Sequence, residues 1–281
     1  MNDSTENSSR PIGVFDSGIG GLTVFRELLR QLKGERLLYF GDTARVPYGS
    51  KSGDTVTRFT LEAADFLQAQ SIKALVVACN TASAYAIPAL ETRLGIPVLG
   101  VIEAGAKAAA DASRGGPIGV IGTSATVASP AYESALRRRV PDAKIVTMAC
   151  PLFVPLVEEG WTDHRITREI AEEYLSPLRQ ENLDCLILGC THYPLLKGVI
   201  QDVMGPSVKL VDAGNYTARE LKQILGPSRG SAAEAKPDNL GHHIFLTDSP
   251  PAFRRTSERF LGKDLPPVEV VAREEERWVR A

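Results

Sequence analysis

Only four cysteines occur in the 281 residues: Cys79, Cys150, Cys185 and Cys190. They are too few, and too firmly set in apolar runs, for the disulfide scaffold of a secreted domain, so a reduced, cytoplasmic chain is expected. Zinc needs clustered ligands, and none is seen: the spacing of Cys185 and Cys190 puts them on opposite faces of a strand. No metal is expected. No apolar run approaches the roughly 20 residues that cross a bilayer, so no membrane role is expected. With a net charge of −2 and a pI of about 6.1, the chain lacks the basic field that attracts nucleic acid or anionic lipid. The run Arg137-Arg138-Arg139 is local and reads as a solvated helix end. The opening ten residues, MNDSTENSSR, carry neither an apolar segment nor a cleavage pattern. They read as a disordered tail, not a signal peptide. What remains, 43% hydrophobic and 23% charged, suits one large or two medium globular domains.

Two stretches stand out. Ala74-Leu-Val-Val-Ala-Cys79-Asn80-Thr81-Ala-Ser83 is a short apolar run that ends in a thiol, an amide and hydroxyls. Its length and valine content predict a buried parallel strand, and ligands of parallel sheets bind beyond the strands' carboxyl ends. Cys185-Leu-Ile-Leu-Gly-Cys190-Thr191-His192-Tyr-Pro194 has the same design. A single free cysteine is commonly a core residue. Two at the mouths of two such strands form a pair.

In chain order, Pro11–Phe15 predicts a strand, closed by Asp16-Ser17-Gly18-Ile-Gly20-Gly21, and Leu22 to Leu32 predicts a helix. The glycine-rich turn is either an anion cradle at a helix N-terminus or a tight connection; it lacks the dinucleotide fingerprint. Arg36–Phe40 predicts a second strand, and Pro47-Tyr48-Gly49 after it is turn chemistry. A helix over 54–70, a strand at 74–78, a helix over 82–94 and a strand at 96–102 follow. The pattern then restarts. Pro117-Ile-Gly-Val repeats Pro11-Ile-Gly-Val letter for letter, 106 positions on. Lys144–Met148 lies 108 positions after Arg36–Phe40, Cys190 lies 111 after Cys79, and Val208–Asp212 lies 112 after Ile96–Gly100.

Near-constant offsets indicate a duplicated unit. The expected fold class is α/β, with two similar domains of mainly parallel sheets, related by a pseudo-twofold axis. The expected domains are 11–104 plus 214–281 and 105–213, after the tail at 1–10. Cys79 and Cys190 would then flank one interdomain cleft. Helices are expected over 216–225 and 250–260, with a loop over 226–240, a strand at 243–247, and Arg273–Arg277 as a solvated charge run.

A small amino acid held between two thiols meets a base on one face and an acid on the other, which is the chemistry of a racemase or epimerase. A thiolate is accessible near neutrality with modest help, since free cysteine titrates near 8.5. Asp16 is placed to activate Cys79, and His192, with Glu158 as acidic partner, to activate Cys190. Asn80, Thr81, Thr191, Ser17, Thr123 and Thr126 offer neutral donors to stabilise a carbanion. A Cys190–His192 nucleophile is also possible, but it leaves Cys79 unexplained. Cys185 and Cys150 read as core residues. His164, His242 and His243 have no partner pattern and read as surface residues.

These residues resemble a known family. FDSGIGG (15–21), YFGDTARVPYG (39–49), ACNTAS (78–83), GVIGTSATV (119–127), CPLFVPLVEEG (150–160) and LGCTHYP (188–194) are similar to the motifs of the glutamate racemases, within the aspartate/glutamate racemase superfamily. The resemblance runs from Pro11 to Thr247. It implies interconversion of L- and D-glutamate without a cofactor, for peptidoglycan synthesis, by a protein that is commonly a homodimer. It makes Cys79 and Cys190 the acid–base pair, with Asp16, His192 and Glu158 as activators. It places substrate contacts on Asp16, Ser17, Tyr48, Gly49, Asn80, Thr81, Thr123, Thr126, Thr191 and His192. Ala104 stands where many relatives have proline, near the expected hinge. The rival readings are an aspartate racemase and a non-catalytic amino-acid-binding protein.

Overall fold

Ile12–Asp16 forms β1, and all five of its residues are buried. An apolar run without alternation requires this, because a parallel strand is covered on both faces. The computed structural model describes residues 9–226, 240–249, 253–262, 265–275 and 277–280. Most of the expected tail, most of the expected 226–240 loop and residues 250–252 of the next helix lie outside the described residues. The further strands are β2 (Leu37–Gly41), β3 (Ala74–Val77), β4 (Val98–Gly100), β5 (Ile118–Gly122), β6 (Ile145–Ala149), β7 (Cys185–Gly189), β8 (Lys209–Val211), β9 (His243–Leu246), β10 (Val268–Glu274) and β11 (Arg277–Arg280).

They form two sheets. The first runs β11-β10-β9-β2-β1-β3-β4, the second β6-β5-β7-β8. Every pairing is parallel except β10 with β11. The order β2-β1-β3-β4 recurs as β6-β5-β7-β8, and the registers recur with it. Ile12 faces Leu37 and Ala74, while Ile118 faces Ile145 and Cys185. The duplication read from the sequence is therefore a duplication of sheet topology, and the fold is two α/β regions. β9 extends the first sheet by pairing with β2.

The helices are α1 (Leu22–Gln31), α2 (Gly53–Ala69), α3 (Asn80–Tyr85), α4 (Ile87–Arg93), α5 (Val101–Ala112), α6 (Ser124–Ala128), α7 (Ala131–Arg137), α8 (Phe153–Glu158), α9 (Arg165–Arg179), α10 (Lys197–Met204), α11 (Gly214–Leu225) and α12 (Phe253–Leu261). Helices cover both faces of the first sheet. Leu22, Phe25 and Leu28 of α1 pack with Ile12, Val14 and Tyr39 on one face, and Val56, Ala63 and Leu67 of α2 with Phe15, Phe40 and Val77 on the other. Each large side chain so buried contributes about 1.5–3 kcal/mol. Cys185 and Cys150 are both fully buried, as core cysteines are.

Two expectations need correction. The helix over 82–94 is broken at Ala86, because Pro88 has no N–H to continue it. The carbonyl of Ala84 is bonded instead by Ser129 Oγ, at 3.4 Å. The strand at 96–102 shrinks to β4, since Val101 already begins α5; Ala104 lies buried in that helix's first turn. The terminal charge run is exposed at its described residues, as expected, and is also part of the sheet. Most of it belongs to the β10–β11 hairpin, which buries Val271 and Trp278 beside Phe40.

Candidate active site

Four equivalent strand ends converge. β1 delivers Asp16 and leads into Ser17, β3 leads into Cys79-Asn80-Thr81, β5 into Thr123, and β7 into Cys190-Thr191-His192. Two further segments complete the wall. The loop after β2 brings Tyr48 and Gly49, and α8 brings Glu158. Together they enclose a cleft of about 400 Å³, within the range that holds small molecules. Both Cys79 and Cys190 line it, as do Ser17, Tyr48, Gly49, Asn80, Thr81, Thr123, Glu158, Thr191 and His192. Asp16 and Thr126 lie just beneath the surface, each about 1% exposed.

Cys79 caps α3: its sulfur accepts from the Ala82 N–H at 3.4 Å and lies 3.5 Å from Ser17 Oγ. Burial, then the charge of Asp16, pushes this thiol up to about 12 against opposing hydrogen bonds from Ser17 and Ala82. It is therefore held protonated at neutral pH. Asp16 acts on it by its charge, and its own Oδ2 accepts from Gly18 N–H at 2.9 Å. Burial raises the Asp16 carboxyl, while His192 and the N–H groups of Gly18 and Gly21 pull it back.

On the other side, Cys190 Sγ lies 3.8 Å from His192 Nδ1, and His192 Nε2 lies 3.0 Å from Glu158 Oε1. Burial works against a charged imidazole here. Hydrogen bonds to Cys190 and Glu158 outweigh it and hold His192 up at about 10. The ring is thus cationic at neutral pH, with Cys190 Sγ beside it. One thiol is kept protonated and the other sits beside a cation. A folded-state value raised from 6.5 to about 10 has a consequence for stability. The contribution of His192 is complete below about pH 6.5 and is lost as pH rises toward about 10. Urea unfolding of wild type and His192→Asn at pH 6, 8 and 9.5 should show the wild type losing more stability across that window. Parallel losses would rule the linkage out.

The hydroxyls form a seam between the two sheets. Thr81 Oγ1 lies 3.0 Å from Thr123 Oγ1 and 3.1 Å from Thr126 Oγ1, and those two lie 2.9 Å apart. Two glycines let the backbones close on it. A Cβ on Gly49 would come within 2.5 Å of Thr123, and one on Gly20 within 2.3 Å of Thr191 and 2.5 Å of the His192 ring.

Several wall residues were not among those expected: Gly18, Val46, Pro47, Pro151, Val154, Pro155 and Gly189. A signal for some was present. Pro151, Val154, Pro155 and Glu158 recur at helical spacing, one face of the α8 segment. Asp42 also supports the site, without a local sequence signal. Fully buried, it accepts from Tyr48 Oη at 2.5 Å, Arg45 Nε at 2.6 Å and Thr247 Oγ1 at 2.9 Å, and so fixes the loop that carries Tyr48. The three histidines expected on the surface all have partners. His164 Nδ1 caps α9 through Ile166 N–H at 3.2 Å, and His242 Nδ1 accepts from Leu37 N–H at 3.1 Å. His243 lies 3.2 Å from Glu269. Among the described residues, no group of three or more His, Cys, Asp or Glu side chains is placed to hold a metal ion, and no helix is long and apolar enough to cross a membrane.

The Asp/Glu/hydantoin racemase family model matches residues 12–221. The chain belongs to that family. Within it, the glutamate racemase of Geobacter metallireducens is 53% identical over 268 residues, spanning 95% of this chain and 98% of that one. Among solved structures, the Bacillus anthracis glutamate racemase isoform RacE1 superposes with a TM-score of 0.85 at 42% identity, covering 94% of this chain and 97% of that one. The Francisella tularensis glutamate racemase in complex with D-glutamate gives a TM-score of 0.86 at 38% identity, covering 94% and 98%. These glutamate racemases thus match along almost the whole chain, and the family model spans both cysteine-bearing strand ends.

Proposed function

We propose that the chain interconverts L- and D-glutamate by a two-base proton transfer that needs no cofactor. One observation carries the proposal: thiols at the equivalent ends of β3 and β7 line a single cleft, each with its own charged neighbours. From L-glutamate, the Cys190 thiolate takes the Cα proton, and the Cys79 thiol delivers its own proton to the opposite face. The product is D-glutamate, with Cys190 now a thiol and Cys79 a thiolate. The difference between a cationic His192 beside Cys190 and a protonated Cys79 poises the free protein for this direction. The reverse reaction starts from the opposite pairing.

The α-proton of an amino acid is far less acidic than a thiol, so charge developing on the substrate needs preorganised donors in a water-poor site. Ser17, Asn80, Thr81, Thr123 and Thr191 line the cleft with such groups. Tyr48 and Gly49 close its far side, with Thr126 behind Thr81 and Thr123. Residues 11–104 with 214–281 and residues 105–213 serve as the two jaws. D-Glutamate made in this way supplies peptidoglycan synthesis in the cytoplasm, and the working form is a homodimer. Glutamate relatives that match end to end favour glutamate over aspartate.

Circular dichroism of the purified protein with L-glutamate and, separately, L-aspartate, with and without pyridoxal phosphate, tests the reading. Decay of the L-glutamate signal to zero, unaffected by pyridoxal phosphate, is expected. Faster decay with aspartate would make the protein an aspartate racemase. Binding without any decay would make it a non-catalytic binder.

A further inference from the structure

Asn80 directly follows Cys79 and lines the cleft. Its carboxamide has an acceptor oxygen at one corner and a two-proton donor nitrogen at the other, so its orientation decides what it recognises. The oxygen is already engaged. Tyr132, on α7 beside the second sheet, donates from its hydroxyl to Asn80 Oδ1 at 2.6 Å. Both side chains are buried, Tyr132 at 3% exposure and Asn80 at 6%. A buried hydroxyl proton needs an acceptor, and the amide oxygen supplies it. Burial, and after it the charge of Cys190, raises the Tyr132 phenol, so it remains a donor throughout the working range. The ring is also held independently of this bond. A Cβ on Gly189 would meet it at 3.1 Å, and one on Gly105 would meet its hydroxyl at 3.3 Å.

We infer that Tyr132 is a positioning residue that holds the Asn80 oxygen and so turns the amide nitrogen toward the cleft, to donate to a carboxylate of the substrate. The inference rests on the amino-acid substrate proposed above. It makes a contact offered by the first sheet depend on a side chain attached to the second. Thr81, the next residue, is held across the same seam by Thr123 and Thr126. Amide and hydroxyl are therefore set together when the two regions meet.

The test is a double-mutant cycle of Tyr132→Phe and Asn80→Ala, with kcat, KM for L-glutamate and Tm measured for all four proteins. Tyr132→Phe keeps the ring and removes only the hydroxyl. An approximately tenfold loss of kcat/KM is expected, carried mostly by KM because the contact exists before proton transfer. In the Asn80→Ala background the same change should cost nothing further, since Tyr132 acts through Asn80. Asn80→Ser replaces Asn80→Ala as the background if the latter does not fold. Wild-type kinetics for Tyr132→Phe, or an equal loss in both backgrounds, overturns the inference. A wild-type protein inactive on glutamate overturns the proposed substrate at the first measurement, and the inference with it. An active wild type with an indifferent Tyr132→Phe overturns the inference alone.

Discussion

Cys79→Ala and Cys190→Ala are each expected to lower the racemisation rate by about 10⁴-fold in both directions, the upper range for removal of a group that transfers the proton itself. Each direction uses both sulfurs, one to take the proton and one to give it, and alanine can do neither. The fold should survive. Cys79 contributes only a weak cap to α3 through Ala82, and neither thiol forms a disulfide. Cys185→Ala is the internal control, because Cys185 is fully buried inside β7, away from the cleft. It should cost about 1–2 kcal/mol of stability through a small cavity and leave kcat unchanged. A folded Cys79→Ala or Cys190→Ala protein that retains most of its turnover would sink the paired-thiol assignment.

The second large effect is that of the activators. His192→Asn and Asp16→Asn are each expected to lower kcat by about 10²-fold in the more affected direction, because they act on proton transfer, with the KM values shifting so that kcat/KM stays equal in the two directions. The losses should differ between the two directions. His192 supports the Cys190 side through its 3.8 Å contact, whereas the charge of Asp16 holds Cys79 as a protonated donor, so the Asp16→Asn loss should fall mainly on conversion of L-glutamate. The equilibrium ratio of L to D must remain at unity in every variant. Kinetics in both directions, started from each pure enantiomer, decide the matter. Identical losses in both kcat values, for both variants, contradict side-specific roles.

The parts legible in the sequence share one cause: they are local. A run such as Ile12–Asp16 or Cys185–Gly189 carries its own burial pattern. The repeat offsets carry the topology, since paired residues in the two sheets are displaced by the same amounts as the repeated segments. The cysteines were visible for the same reason, each being the residue that ends such a run. Contacts made across the fold were not visible. Nothing near Asp42 in the chain announces Thr247, and nothing near Asn80 announces Tyr132. The hairpin of β10 and β11 is not legible because only Val271 and Trp278 are buried, while Val268 and Val270 lie exposed among charged residues. The break at Ala86 was readable in principle from Pro88, but the apolar spacing on either side masks it.

Proton bookkeeping tests the central claim, that two separate thiols serve the two faces of one carbon. L-Glutamate is converted in heavy water and stopped at low conversion, and the Cα hydrogen of product and of recovered substrate is measured by mass spectrometry. With Cys190 taking the proton and Cys79 supplying a solvent-derived deuteron, the D-glutamate formed should be almost fully deuterated. Recovered L-glutamate should be almost unlabelled, and the pattern should mirror when D-glutamate is the starting material. A single base working on both faces would return part of the original hydrogen. A substantial fraction of unlabelled D-glutamate at early times would contradict the opposed pair.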